Sequence, residues 1–326
     1  MTTDLKNQNA DFLEVPVDFF AAETITDFEL YIHAAGRYLL YASSPYTWSE
    51  GERNRLLEQD HRVLYYSKND QEKLDVYKRI VGLRAPEETI EGARRLSKLT
   101  ELAADVTRII HQHGLSMSSI GKFQSISRDM TQSIKKDKSA ALALDHLLSH
   151  DQYTYFHSAR VAVYAISIAL EMSMSDDSEL ETIALGCLLH DVGKSKIDIS
   201  IINKEGHLTE DEWLEIKSHT LYGQEMLNNS TLKTTAREII LHHHERLDGS
   251  GYPHQLQSSE ILKEVSIASF SDVFDALTTT RSYQSSRTRY EAMDLIRFKL
   301  LKNLDQDVYK AMVSLLTQSS DDTAAS

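Results

Sequence analysis

A chain of 326 residues, 41% hydrophobic and 26% charged, has room for two domains and the balance of an ordinary globular protein. Its formal net charge of −14 excludes a surface that as a whole attracts nucleic-acid polymers or anionic membranes, although metal ions or local basic groups can reverse the field at one site. The single cysteine, Cys187, excludes an intramolecular disulfide, and only 12 Gly and 4 Pro favour long helices over a turn-rich all-β fold.

In chain order, residues 1–14 are polar and mostly acidic, with no apolar run of the signal-peptide kind. Residues 11–81 mix strand and helix signals. Glu29–Ile32 and Tyr38–Tyr41 are β-prone runs around Ala34-Ala35-Gly36, the pattern of a hairpin. Ser49 with Glu52 makes a capping box for a helix through Leu57, and Arg62–Tyr66 and Gln71–Ile80 follow as strand and helix. No catalytic constellation falls here, so residues 1–85 are expected to form a small α+β regulatory domain, a place for a protein partner to dock.

Residues 86–138 read as a helical linker. Ile90, Ala93, Leu96, Leu102, Val106, Ile109 and Ile110 keep helical spacing up to Gly114, and Phe123, Ile126, Met130 and Ile134 repeat it. Such helices serve as a signalling spacer and homodimer seam, or simply pack on the next domain. Residues 139–318 are all-α by periodicity, and the polar tail 319–326 is expected to be disordered. The longest apolar stretch, Val161 to Leu170, is too short to span a bilayer, so no membrane partner and a cytoplasmic location are expected. The fold class is mainly α: an all-α catalytic domain behind a small α+β domain and a helical linker.

The chemistry lies where His and Asp fall on the helices of the third region. From Leu180 the apolar stripe runs through Ile183, Ala184 and Cys187, and His190 and Asp191 continue it to a helix end at Gly193. An Asp there opposes the helix dipole unless something cationic faces it. Thr209 and Glu212 form a capping box for a helix on which His219 shares a face with Tyr222, Gly223 and Met226. Ala236, Ile239 and Ile240 lead to His243 and His244. Ile261, Val265 and Ala268 line up with Asp272, and His157 precedes the run Val161–Leu170. One histidine on an apolar face is usually a satisfied core residue. Several ending apolar stripes within one domain point to metal, because buried carboxylates need cationic partners. The donors are N and O without thiolate and exceed one tetrahedral site. They suit two neighbouring divalent ions, Fe or Mn ahead of Zn or Ni, able to share a hydroxide and hold both oxygens of a phosphoryl transfer. Lys194 would stabilise charge on the phosphate.

His190-Asp191-Val192-Gly193-Lys194 resembles the HDxGK core of the HD phosphohydrolase superfamily. His243-His244-Glu245-Arg246 followed by Asp248-Gly249-Ser250-Gly251-Tyr252-Pro253 resembles the signature of its HD-GYP branch. The likeness runs from about Tyr153 to Tyr283. It implies an HD-type catalytic domain that hydrolyses a cyclic dinucleotide, cyclic di-GMP first, through a metal-bridging hydroxide. Carried over by position, it implies His157, His190, Asp191, His219, His243, His244 and Asp272 as metal ligands, Asp191 bridging. It further implies Lys194 on the phosphate and Gly251-Tyr252-Pro253 as the pocket wall. Two departures matter. Tyr153 stands where trinuclear members have Glu, so two ions are expected. Arg281-Ser282-Tyr283-Gln284 stands where the family has two basic residues on substrate phosphates. Arg281 is kept, but Gln284 brings no charge, and each charge-assisted contact is worth roughly 1–3 kcal/mol. Hydrolysis of mixed cyclic GMP-AMP, a mononucleotide or alarmone phosphohydrolase, and a non-catalytic HD-type ligand- or partner-binding sensor are the alternatives.

Overall fold

The computed structural model describes residues 12–20, 24–34, 36–59, 61, 63–83, 92–138, 140–141, 153–204, 206–279 and 287–324. The chain divides into two compact units, Met1–Thr89 with Ser116–Lys122, and Ile90–Leu115 with Phe123–Ser326.

The first unit is α+β. Its elements are β1 (Phe12–Pro16), β2 (Ile25–Thr26), β3 (Leu30–Ala34), β4 (Arg37–Ala42), β5 (Tyr46–Thr47), α1 (Glu50–Glu58), β6 (Val63–Ser67) and α2 (Gln71–Leu83). An antiparallel sheet runs in the order β1-β6-β3-β4, with β2 and β5 as a separate pair. The β3–β4 hairpin turns at Gly36, whose φ of 74° is a left-handed value that glycine adopts without steric penalty. Period-2 alternation sends Leu64 and Tyr66 of β6 into the core and Tyr65 outward. That core gathers Val15, Phe20, Phe28, Leu30, Trp48, Leu64, Leu74 and Tyr77, with the Phe20 and Trp48 rings stacked at 4.4 Å. The Ser49–Glu52 capping box forms as expected: Glu52 N donates to Ser49 Oγ at 3.3 Å and Ser49 N to Glu52 Oε2 at 3.1 Å. Strand β1 was not anticipated, since its Phe-Leu-Glu-Val-Pro sequence carries only one buried side chain, Val15.

The second unit is all-α. Its helices are α3 (Gly92–His113), α4 (Met117–Lys136, of which 123–136 belong here), α5 (Tyr153–Glu171), α6 (Asp177–Leu189), α7 (Ile199–Ile202), α8 (Glu210–Lys217), α9 (His219–Met226), α10 (Thr234–His242), α11 (Lys263–Thr278), α12 (Arg289–Leu295) and α13 (Gln306–Ala324). Helix α5 is the axle. It packs on α3, α6, α11 and α13, which is why Val161–Ala169 is buried on every side rather than along one stripe. The apolar stripes read as a linker, Leu96 to Ile110 on α3 and Phe123 to Ile134 on α4, are buried within the single chain. Helix α13, anchored by Val308, Met312, Leu315 and Leu316, continues to Ala324 through residues expected to be a disordered tail. No helix among the described residues is long and apolar enough to cross a membrane.

Within the first unit Lys122, on the first turns of α4, reaches Asp27 at 2.7 Å with only 2% of its side chain exposed. Burial lowers the Lys122 pKa and the Asp27 charge works against that. Removing one partner strands the other charge in a dry interior. Lys122→Ala is therefore expected to cost about 3–5 kcal/mol, and Lys122→Met combined with Asp27→Leu far less. Urea unfolding followed by tryptophan fluorescence checks this, because Trp48 lies in the same unit.

Candidate metal centre

Helix α6 delivers the first pair. It stops at Leu189 rather than at Gly193, and the chain winds into a tighter 3-10 turn, Val192–Lys196. Close packing explains the change. A Cβ on Gly193 would run into the His219 carbonyl oxygen and the Gly223 amide nitrogen, so glycine lets this turn lie directly on α9. Asp191, Lys194 and His219 are thereby brought to one place.

Three histidines are oriented by the same device. His190 Nδ1 donates to the Cys187 carbonyl at 2.7 Å, and His219 Nδ1 to that of Ile216 at 2.6 Å. His243 Nδ1 donates to the Ile240 and Ile239 carbonyls at 3.1 and 3.2 Å. A carbonyl only accepts, so each Nδ1 carries a proton and each Nε2 points inward. Burial depresses the His219 pKa to about 4 and holds His243 and His244 well below the usual histidine range. His219 and His243 therefore present bare Nε2 lone pairs to each other at 3.3 Å. Two acceptors face to face repel unless a cation lies between them. Two nitrogens bound to one ion at about 2.0–2.1 Å stand about 2.9–3.4 Å apart at tetrahedral or octahedral angles.

The carboxylates complete the set. Burial would raise the Asp191 pKa, but the charges of His190 and Lys194 outweigh it and hold the carboxyl well below its usual range. Its Oδ2 accepts from Lys194 Nζ at 2.6 Å, and its Oδ1 stands 3.3 Å from His219 Nε2. Asp191 Oδ1 and His190 Nε2 are both buried without a hydrogen-bond partner among the described residues, as atoms kept for an ion would be. Ligand atoms fall into two groups, Asp191 with His219, His243 and His244, and Asp191 with His157 and His190, each within 4.8 Å. Asp191 is common to both. The residues present fit divalent metal.

His157 is set differently. Its Nδ1 donates to Asp275 Oδ2 at 2.7 Å and its Nε2 lies 3.1 Å from Asp272 Oδ1. Burial lowers its pKa, but the bonds to Asp272 and Asp275 prevail and lift it to about 9. Asp275, wholly buried, also accepts from Arg160 Nε at 2.5 Å and Nη2 at 3.1 Å. Asp272 stands 3.7 Å from His244 Nδ1, so it joins the centre through His157 and His244 rather than through either group of ligand atoms.

One wall is the 248–253 loop. A Cβ on Gly251 would collide with the backbone of Glu245 and Arg246, so the loop lies flat on the end of α10. Buried Glu245 accepts from the His254 and Leu256 amides at 2.6 and 3.1 Å. The Tyr252 ring is thereby held 4.7 Å from that of His244, and burial pushes its phenol pKa up. His242 turns away from the centre: Nδ1 meets Glu238 at 2.9 Å and Nε2 meets His254 at 3.0 Å. Pro253 follows Tyr252 in the loop, and Arg281 and Gln284 lie outside the described residues.

Several neighbours of the centre were passed over in the sequence. Arg160 and Asp275 each sit three residues beyond a candidate ligand, on the same helix face, and that spacing was the available signal. Helix α3 carries no such signal. Yet its His111 packs on Tyr155 at 5.9 Å and feels the charges of Asp191 and Lys194.

The HD domain family profile matches residues 141–308. A cyclic di-GMP phosphodiesterase of Pseudomonas aeruginosa is 33% identical over 188 residues, covering 57% of this chain and 44% of that protein. The 3'3'-cGAMP-specific phosphodiesterase 3 of Vibrio cholerae is 34% identical over 171 residues, 52% of this chain and 37% of that one. The chain thus spans less than half the length of these curated relatives. Among solved structures, Bd1817, an HDG"Y"P protein from Bdellovibrio bacteriovorus, aligns with a TM-score of 0.63 over 94% of this chain and 100% of that chain. Its 17% identity makes this a likeness of fold alone.

The Asp275 clamp has a measurable consequence. In Asp275→Asn, the Arg160–Asp275 ion pair is lost and the bond that orients the His157 ring loses its charge, so divalent-metal affinity should fall about 10- to 100-fold while helix content is kept. Equilibrium dialysis with elemental analysis, beside circular dichroism, checks both.

Proposed function

We propose, from the premise that this chain belongs to the HD domain family and carries the HD-GYP signature, that it is a metal-dependent phosphodiesterase of cyclic dinucleotides, cyclic di-GMP first. The observation that carries the reading is the pair of His/Asp groups joined at Asp191. Divalent-metal binding goes with that family. The finer assignment is ours: two ions, Fe or Mn, held by His157, His190, His219, His243, His244 and Asp272, with Asp191 common to both. When bound, two such ions lower the pKa of a shared water and neutralise charge on phosphoryl oxygens. Mixed cyclic GMP-AMP is the second substrate, because relatives named for either dinucleotide match at nearly equal identity. We place this chemistry in the cytoplasm, where a lone thiol stays reduced.

The chain's own residues have separable tasks. Asp191 is held ionised, so at neutral pH no proton has to leave it. Lys194, with a third of its side chain exposed, spends one N–H on Asp191 and keeps others for a phosphate oxygen. Tyr252, uncharged and packed on His244, keeps bulk water from that side of the site. Arg281 would grip substrate phosphate, whereas Gln284 would offer only a neutral contact.

Protein reconstituted with Fe(II) or Mn(II) should convert cyclic di-GMP to a linear product, chelation should abolish this reversibly, and Asp191→Ala should slow it about a thousandfold or more. Product chromatography with each cyclic dinucleotide is the test. Both compounds left intact, or an active Asp191→Ala variant, would overturn the reading. Proton release gives an independent check. At pH 7 His219, His243 and His244 are already neutral, whereas His157, with its pKa lifted to about 9, is charged. Its Nε2 must lose a proton to coordinate. His157 should therefore give up a proton on metal uptake at pH 7 and progressively less above pH 9, so that proton release falls as pH rises through that range, measured by calorimetry in buffers of different ionisation enthalpy.

A further inference from the structure

The Tyr252 ring has a second neighbour besides His244. Lys217, the exposed last residue of α8, places its ammonium over that ring, 5.5 Å from the centroid. The ring itself stands 4.7 Å from His244 and 6.4 Å from His219. A full positive charge thus sits one aromatic ring away from two imidazoles of the centre, in a chain whose net charge is −14. Lys194, another cation beside the centre, is tied to Asp191 at 2.6 Å. Among the described residues Lys217 has no ion-pair partner, and its aromatic contact is Tyr252 of the site wall.

A cyclic dinucleotide carries two phosphodiesters in one ring, and only one is cut at a time. The other enters the same site with its charge intact and loses water on the way in, which is costly without a cationic partner. We propose that Lys217 contacts this second, non-reacting phosphate and so selects for a substrate with two phosphates. The inference rests on the phosphodiesterase reading and deepens it. An ammonium suits the task, since a phosphate sitting above Tyr252 can draw it off the ring face without breaking a salt bridge.

The test uses the metal-loaded full chain and two variants, Lys217→Ala and Lys217→Arg. Steady-state hydrolysis of cyclic di-GMP is measured beside equilibrium binding of its bis-phosphorothioate analogue. Loss of one charge-assisted contact predicts a KM and a Kd about tenfold higher in Lys217→Ala, a kcat lowered by less than about threefold, and recovery of most of the affinity in Lys217→Arg. A wild-type enzyme that cleaves cyclic di-GMP while Lys217→Ala keeps KM within about twofold overturns the inference and leaves the phosphodiesterase reading standing. So does a Lys217→Ala variant that loses kcat as much as affinity without rescue by arginine, which marks mere support of Tyr252. Should the wild type bind the analogue but cleave nothing, the enzymatic reading fails and the variants' affinities alone decide for or against Lys217. Neither binding nor cleavage by the wild type overturns both.

Discussion

Everything at the centre follows from a frustrated contact, two imidazole nitrogens with bare lone pairs facing each other across 3.3 Å beside a buried, ionised carboxylate. A dry interior makes each of these groups costly by itself. No described side chain is placed to quench them together, since the Lys194 ammonium reaches only Oδ2 of Asp191. A divalent cation quenches both at once, and ligand nitrogens converging at that separation match the bite of one ion. The polar groups that would make a poor core are what make a good ligand cage.

Such a cage has to be rigid before the ion arrives, or ordering it would consume the binding energy. The protein supplies rigidity with backbone rather than with extra polar side chains. His190, His219 and His243 each use the carbonyl three residues back as their orienting acceptor, so a histidine at a helix end, or for His219 at the junction of α8 and α9, has its Nε2 aimed by backbone alone. Gly193 and Gly251 let neighbouring segments meet at backbone contact, which fixes the distances between those helix ends. Only His157, in the interior of α5, needs a carboxylate, and Asp275 is itself locked by Arg160 on the turn that follows His157.

Much of this was legible in the sequence, for a reason that also marks its limits. His190, Asp191, His219, His243, His244 and Asp272 end or continue apolar stripes, and a stripe that terminates in a titratable residue is visible to a 3.6-residue period. The capping boxes at Ser49 and Thr209 were legible because they are local. What stayed hidden depends on long-range pairing or backbone closeness. Strand β1 shows one buried residue and exists through its register with β6. The early end of α6 depends on α9 lying against Gly193, which no window around residue 190 contains. Asp275 does its work through His157 and Arg160, more than a hundred positions away, which no local window contains. His111 lies on a helix whose pattern speaks only of packing, and the fold alone brings it near Asp191.

The overall charge poses the harder question, how a chain at −14 could receive the proposed dinucleotide, itself an anion. The answer is local, because charges on the surface are screened over a distance of about 8 Å at physiological salt whereas those in the site are not. The three buried aspartates at the centre already have cationic or imidazole partners: Asp191 has Lys194, Asp272 has His157, and Asp275 has Arg160 and His157. Their charge is spoken for before any ion binds. Divalent ions would then add positive charge to a site whose acids are already balanced, and the field at the mouth reverses against that of the chain. Surface acidity should disfavour nucleic-acid polymers, since they must meet a wide area of it, while the proposed ring of two phosphates would meet only the site. On that reading, the charge balance that suits the centre to metal would also restrict it to ligands small enough to leave the rest of the surface behind.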